Sequence, residues 1–217
     1  MSFKKSIIAT IIMISVMMLS VSAGQANLIA NGGFEDGTDL AATARTPLTA
    51  NLPGWTVTQG SINWVPARYW EPAEGEWSID LSGDGQGAVT SIPFATLPGL
   101  EYEVVFSLSG NFEDNIDTYK ALKVSADEQA AVFWFDKFDG WSTTNMGWRE
   151  ITWTFMADDE SASLTFISRA YSAYGPVLDN VQVELIPLPG AVPLPPGVLL
   201  LGTGLLCLAG FRGFQKR

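Results

Sequence analysis

Three acidic residues stand close together in "EPAEGEW": Glu71, Glu74 and Glu76. Two carboxyls held about 5–5.5 Å apart can carry out retaining glycoside hydrolysis, one as acid and one as nucleophile. The chain has no histidine, which removes the usual general base, the Ser-His-Asp triad and most zinc chemistry. Its single cysteine, Cys207, lies near the C-terminus, so the body of the chain has neither a catalytic thiol nor a disulfide framework. Catalysis, if any, falls to carboxylates. Asp80, Ser82, Asp84 and Gly85 in "DLSGDGQG" copy the start of a calcium loop, yet position 91 is serine where the closing glutamate belongs. A glycine-rich hairpin is the simpler reading. Trp64, Tyr69 and Trp70 in "INWVPARYWEP", with Trp141, Tyr171 and Tyr174, lie in loop-like context beside Asp, Asn and Arg. Flat rings in such company can stack on the C–H faces of sugars while polar neighbours take the hydroxyls. Exposed aromatic patches also mark other interfaces, and aromatics pack under long loops.

The elements that must position these residues are strands. "YEVVFSLSG" puts Tyr102, Val104, Phe106 and Leu108 on one face; "REITWTFMA", "SASLTFIS", "VLDNVQVEL" and "WSIDLSG" alternate in the same way. Period-two alternation of aromatic and β-branched residues is the signal of half-buried strands. Strands are expected near 28–34, 55–65, 77–81, 87–94, 101–109, 120–126, 131–135, 150–156, 162–168 and 177–186, with 39–54 as a long loop. Many short strands with turn chemistry between them predict an all-β chain, an antiparallel β-sandwich or jelly roll.

The termini read differently. Lys4 and Lys5 precede an apolar run from Ile7 to Val21 and the small-residue exit "SAGQA", the pattern of a secretory signal peptide over 1–26. The domain then spans 27–186. All 23 acidic residues lie there against seven basic ones, a net charge of −16, which excludes nucleic acid as a partner. A proline-rich spacer follows over 187–197, extended because proline fixes φ and withholds a donor. Residues 198–217 combine an apolar stretch to Phe211 with Arg212, Lys216 and Arg217. Counted from Val192 the apolar stretch is long enough to span a bilayer, with the basic end cytoplasmic.

The order of "VPLPP", "GVLLLGTGLLCLAGF" and "RGFQKR" resembles the PEP-CTERM class of bacterial C-terminal sorting signals in its VPLP-type variant, with Val192, Pro193, Leu194 and Pro195 in place of Pro-Glu-Pro. The resemblance implies export by a Gram-negative bacterium and transient insertion of a transmembrane helix in the inner membrane. It also implies recognition by an exosortase-type membrane protease, which delivers the protein to the cell surface or extracellular matrix.

"NLIANGGFEDG" (27–37) and "GPVLDNVQVEL" (175–185) resemble the two ends of galactose-binding-like jelly rolls, including many carbohydrate-binding modules and the choice-of-anchor C family. "GWTV", "WSIDLSGDGQGAV", "YEVVFSLSGN" and "ITWTFMA" follow the same order. The resemblance implies a structural calcium where the first and last strands meet, held by Glu35 and Asp179. Two carboxylates brought together repel unless a hard cation or an arginine sits between them, and calcium would need further oxygens from backbone carbonyls. The reading that follows is an exported, non-catalytic envelope or matrix module that binds carbohydrate (exopolysaccharide), with Trp64, Tyr69 and Trp70 as its contacts. The alternatives are a surface structural or adhesion protein with a protein partner, and a carboxylate-based glycosidase. An open face with stacking aromatics, a flat apolar patch, or a deep cleft with two facing carboxyls would separate the three.

Overall fold

The computed structural model describes residues 26–37, 47–49, 51–113, 119–136 and 142–188. The signal peptide, Trp141, the sorting motif at Val192, Pro193, Leu194 and Pro195, and the transmembrane segment fall outside the described residues. Gln25–Ile186 forms one compact unit. Among the described residues the elements are β1 (Pro47–Leu48), β2 (Trp55–Gln59), β3 (Ile62–Pro66), β4 (Trp77–Asp80), β5 (Ala88–Ser91), β6 (Phe94–Ala95), β7 (Glu101–Gly110), β8 (Tyr119–Ala126), β9 (Gln129–Asp136), β10 (Arg149–Met156), β11 (Ser161–Ala162), β12 (Leu164–Ser168) and β13 (Pro176–Leu185).

The strands form a six-stranded sheet in the order β1-β3-β4-β13-β7-β10 and a five-stranded sheet in the order β2-β5-β12-β8-β9, with β6 and β11 paired beside them. Every pairing is antiparallel. The fold is therefore the all-β antiparallel architecture that the alternation predicts. β7 shows why the layers hold: Tyr102, Val104, Phe106 and Leu108 point inward and are buried, while Glu101 and Glu103 are exposed. Each such side chain contributes about 1.5–3 kcal/mol on burial. Leu122, Val124 and Phe135 of the five-stranded sheet join the same core.

Several expected elements come out differently: 87–94 divides into β5 and β6, 162–168 into β11 and β12, and the expected loop 39–54 contains β1. Residues 28–34 form no strand, because Asn31 (φ 52°) and Phe34 (φ 58°) turn the backbone. The segment instead lies along β13, with Leu28 N–H bonded to Val183 O at 2.9 Å and Val181 N–H to Gly32 O at 2.9 Å. Only glycine fits at position 32, since a Cβ there would collide with the Val181 carbonyl. The expected strand 55–65 is broken at Gly60 (φ 54°), so β2 and β3 enter different sheets.

A second, smaller core covers part of the outer face of the six-stranded sheet. Val65, Trp70, Met146 and Val177 are buried there, with Tyr69, Phe112 and Trp148 packed against them. Consequently every residue of β3 is buried, and alternation disappears where both faces are covered.

Candidate functional site

The two cores together correct the expected sugar platform, the main core taking Trp64 and the second taking Trp70 and Tyr69. Trp64 is 6% exposed, stacks on Trp77 at 3.7 Å and 17°, and donates its indole N–H to Phe34 O at 2.9 Å. Trp70 is 2% exposed and donates to Ser78 Oγ at 2.8 Å. Tyr69 is half-buried, edge-on to Trp70, and its hydroxyl donates to Glu113. The segment after β3 folds back over the sheet, so these rings serve packing and leave no open face for a sugar. Tyr174 is half-buried, whereas Tyr171 is almost wholly exposed.

Glu35 and Asp179 do converge, because the N-terminal segment lies beside the β13 bulge at Asn180 (φ 48°). Both carboxylates grip the backbone that joins β3 to β4. Asp179 accepts from Ala73 N–H at 2.8 Å and Glu74 N–H at 3.0 Å, and from Asn180 N–H at 2.7 Å. Glu35 accepts from Glu76 N–H at 3.0 Å and Trp77 N–H at 3.0 Å. Successive amide N–H groups in such a turn form an anion-binding nest. Burial pushes Asp179 up to about 7; its backbone hydrogen bonds pull the other way, and the nearby Glu35 charge adds to the rise. A calcium ion does not fit this donor set well: amide hydrogens already point at the same oxygens, and among the described residues no third acidic ligand joins them.

Asp80, fully buried, has a parallel role at the other end of β4. It accepts from Ser82 N–H at 2.9 Å and Gly175 N–H at 3.1 Å on one oxygen, and from Asn111 Nδ2 at 2.7 Å on the other. Burial again outweighs these donors and the Lys120 charge, raising its pKa to about 7. The "DLSGDGQG" segment thus folds as a turn anchored by Asp80, with exposed Asp84 donating its backbone N–H to Ser61 Oγ at 2.9 Å.

Glu71, Glu74 and Glu76 are exposed. Of the described hollows, one of about 370 Å³ is lined by Leu28, Leu97, Tyr102 and Leu185 and contains no carboxylate. Another, of about 130 Å³, lies between Glu103 and Glu184, which are in register on β7 and β13. It is well below the roughly 300–1,000 Å³ of a ligand pocket.

The open aromatic face lies on the outer side of the five-stranded sheet. Its residues are fixed by register: Ala121 pairs with Trp134 and Lys123 with Val132, Ile167 pairs with Lys123, and Ala88 pairs with Ile167 on one side and Gln59 on the other. Arg169, one step past β12, donates its backbone N–H to Ala121 O at 2.8 Å, which places it in the row Trp134–Ala121–Arg169. Trp134 is 64% exposed and Val132 46%. Further along the face, Thr58, Thr90 and Thr165 form a hydroxyl ladder at 3.2 Å and 3.0 Å. An indole standing on a strand beside small Ala121, with a guanidinium opposite and hydroxyls further along, can bind an extended polar ligand without forming a deep pocket.

Residues 27–184 match the family described as "Protein of unknown function (DUF642)". The chain belongs to the DUF642 family. Its curated relatives include Halomucin of Haloquadratum walsbyi, 31% identical over 186 residues that cover 82% of this chain and 2% of that protein. Protein TEEBE of Arabidopsis thaliana is 26% identical over 177 residues, covering 73% of this chain and 46% of the other. The chain thus spans a small part of one relative and about half of the other. Among solved structures it resembles TmCBM61 in complex with beta-1,4-galactotriose, with 18% identity, TM-score 0.48, and coverage of 74% of this chain and 99% of that one. It also resembles a family 16 carbohydrate-binding module, with 17% identity, TM-score 0.45, and coverage of 73% and 99%.

Proposed function

We propose that this DUF642 chain is an exported, non-catalytic module that binds polysaccharide on the outer face of its five-stranded sheet. Trp134 carries the reading: a strand-borne indole, 64% exposed, in register with Ala121 and Arg169. A rigid aromatic on a strand gives up little freedom when it binds, which favours a shallow ligand site. Calcium has no part in this reading, because Glu35 and Asp179 already serve the backbone of residues 73–77.

Export and delivery rest on the two termini. The N-terminal pattern supports secretion, and the VPLP-type tail supports handling by an exosortase-type protease at the inner membrane, ending at the cell surface or matrix. Mass spectrometry of protein recovered from cells tests this: a mature chain that retains Arg217 would make the tail a plain anchor.

The binding test is a glycan array probed with the full-length chain and its Trp134→Ala and Trp64→Ala variants. Loss of signal in Trp134→Ala is expected, and an unchanged signal removes this face from consideration. The adhesion reading draws on Val132, which continues the apolar surface beside Trp134. A blank array from a well-folded sample would favour that protein-partner role.

A further inference from the structure

We infer that the ligand of the Trp134 face is an anionic polysaccharide, one that bears uronate carboxylates, rather than a neutral one. This rests on the glycan reading of that face and names the ligand's charge. The domain is strongly acidic as a whole, but among the described strand residues the outward faces of the two sheets carry different charges. Outward positions on the six-stranded sheet carry Glu101, Glu103, Glu150 and Glu184. The outer face of the five-stranded sheet carries Lys123 and Arg169, and among its described strand residues the single carboxylate is Asp136, at the end of β9 beyond Trp134. Two of the seven basic residues in the domain therefore flank the one strongly exposed tryptophan among the described residues.

The spacing suits a sugar acid. Arg169 and Trp134 are separated by two strand intervals with only the Ala121 methyl between them, about 9–10 Å from backbone to backbone. A pyranose stacked on the indole would direct its ring carboxylate across Ala121 toward the guanidinium, whose planar fork matches a carboxylate. Lys123 is the diagonal neighbour of Trp134, about 7–8 Å away and within reach of a long side chain. It can meet the next charged unit of the same chain. Among the described residues no carboxylate pairs with either cation.

The acidic background does not forbid this. Stacked sheets lie about 10 Å apart, so the outward glutamates on the far sheet lie beyond the Debye length of about 8 Å at physiological ionic strength. Locally the polymer meets Arg169 and Lys123 first.

The test measures binding of the full-length chain to alginate, polygalacturonate and hyaluronan, each against the same polymer with its carboxylates reduced to primary alcohols. At least one acidic polymer is expected to bind about tenfold or more tightly than its reduced form, the order of one charge-assisted hydrogen bond. Arg169→Gln and Lys123→Gln should each weaken binding of the acidic polymer more than binding of its reduced form, and so erode that preference. Both residues are on the surface, and matching melting curves will show that the variants fold. Equal binding of acidic and reduced forms overturns the inference and leaves the glycan reading standing. A preference that survives both substitutions also overturns it, and failure to bind any polymer overturns both.

Discussion

Asp80 is surrounded by donors yet held in a site that opposes its charge, and pH separates the two effects. Folding raises its pKa from 3.8 to about 7. The folded state therefore holds the proton more tightly than the unfolded chain. The associated stability is fully present below pH 3.8 and is lost as pH rises through about 7. The shift is a little over three units, and at 1.36 kcal/mol each the stability lost is about 4 kcal/mol. Asp80→Asn removes this dependence at a fixed cost. An amide can still accept from Ser82 and Gly175, but its NH2 then faces Asn111 Nδ2, whose own Oδ1 is held by Glu113 N–H at 3.0 Å. Leaving that group unsatisfied costs about 1–3 kcal/mol. Urea unfolding followed by tryptophan fluorescence, from pH 4 to pH 8, reads both terms. The variant should be less stable than the wild type at pH 4, and the gap should close or reverse by pH 8. If the wild type instead gains on the variant as pH rises, the three donors outweigh burial and the reasoning about Asp80 is wrong.

The aromatic residues give a second contrast. Trp70→Ala should destabilise by about 3–5 kcal/mol, as large core truncations do, whereas Trp134→Ala should cost about 1 kcal/mol or less; urea midpoints distinguish them. Gly75→Ala should destabilise by more than about 1 kcal/mol, because position 75 has φ +61° and an added Cβ would meet the Glu35 carboxylate. A Gly75→Ala midpoint equal to wild type would mean that the 73–77 turn is not held as described. Millimolar calcium should leave the melting temperature where EDTA leaves it, and a rise of several degrees would show that Glu35 and Asp179 take a cation after all.

The fold was legible wherever one face of a strand meets water: β7, β10, β12 and β13 announce themselves by alternation. It was hidden where both faces are covered. In "INWVP" no residue is spared, so Trp64 looked like a loop aromatic when it belongs to the main core. The Trp134 face was obscured for a different reason. "AVFWF" is an unbroken apolar run whose two faces separate only once the Asp127–Glu128 turn sets the β8–β9 register. The basic residues are equally silent in the sequence, since Lys120 is buried and Lys123 faces out, and composition treats them alike. The meeting of Glu35 and Asp179 followed from the closing motifs, but their partners are backbone N–H groups, which carry no residue identity in a sequence.

β13 also acts as a spacer. It begins at Pro176, beside the Gly110 end of β7, and finishes at Leu185 opposite Tyr102, where the N-terminal segment also runs alongside it through Leu28. Trp134 lies near the Gly110 end, since Phe135 pairs with Lys120, whose stem packs close to Gly110. Ten residues of strand measure about 33 Å. Whatever grips the domain by either end of residues 27–186 therefore holds it at one pole and presents the indole at the other. Either end of the domain is thereby kept roughly three nanometres from Trp134.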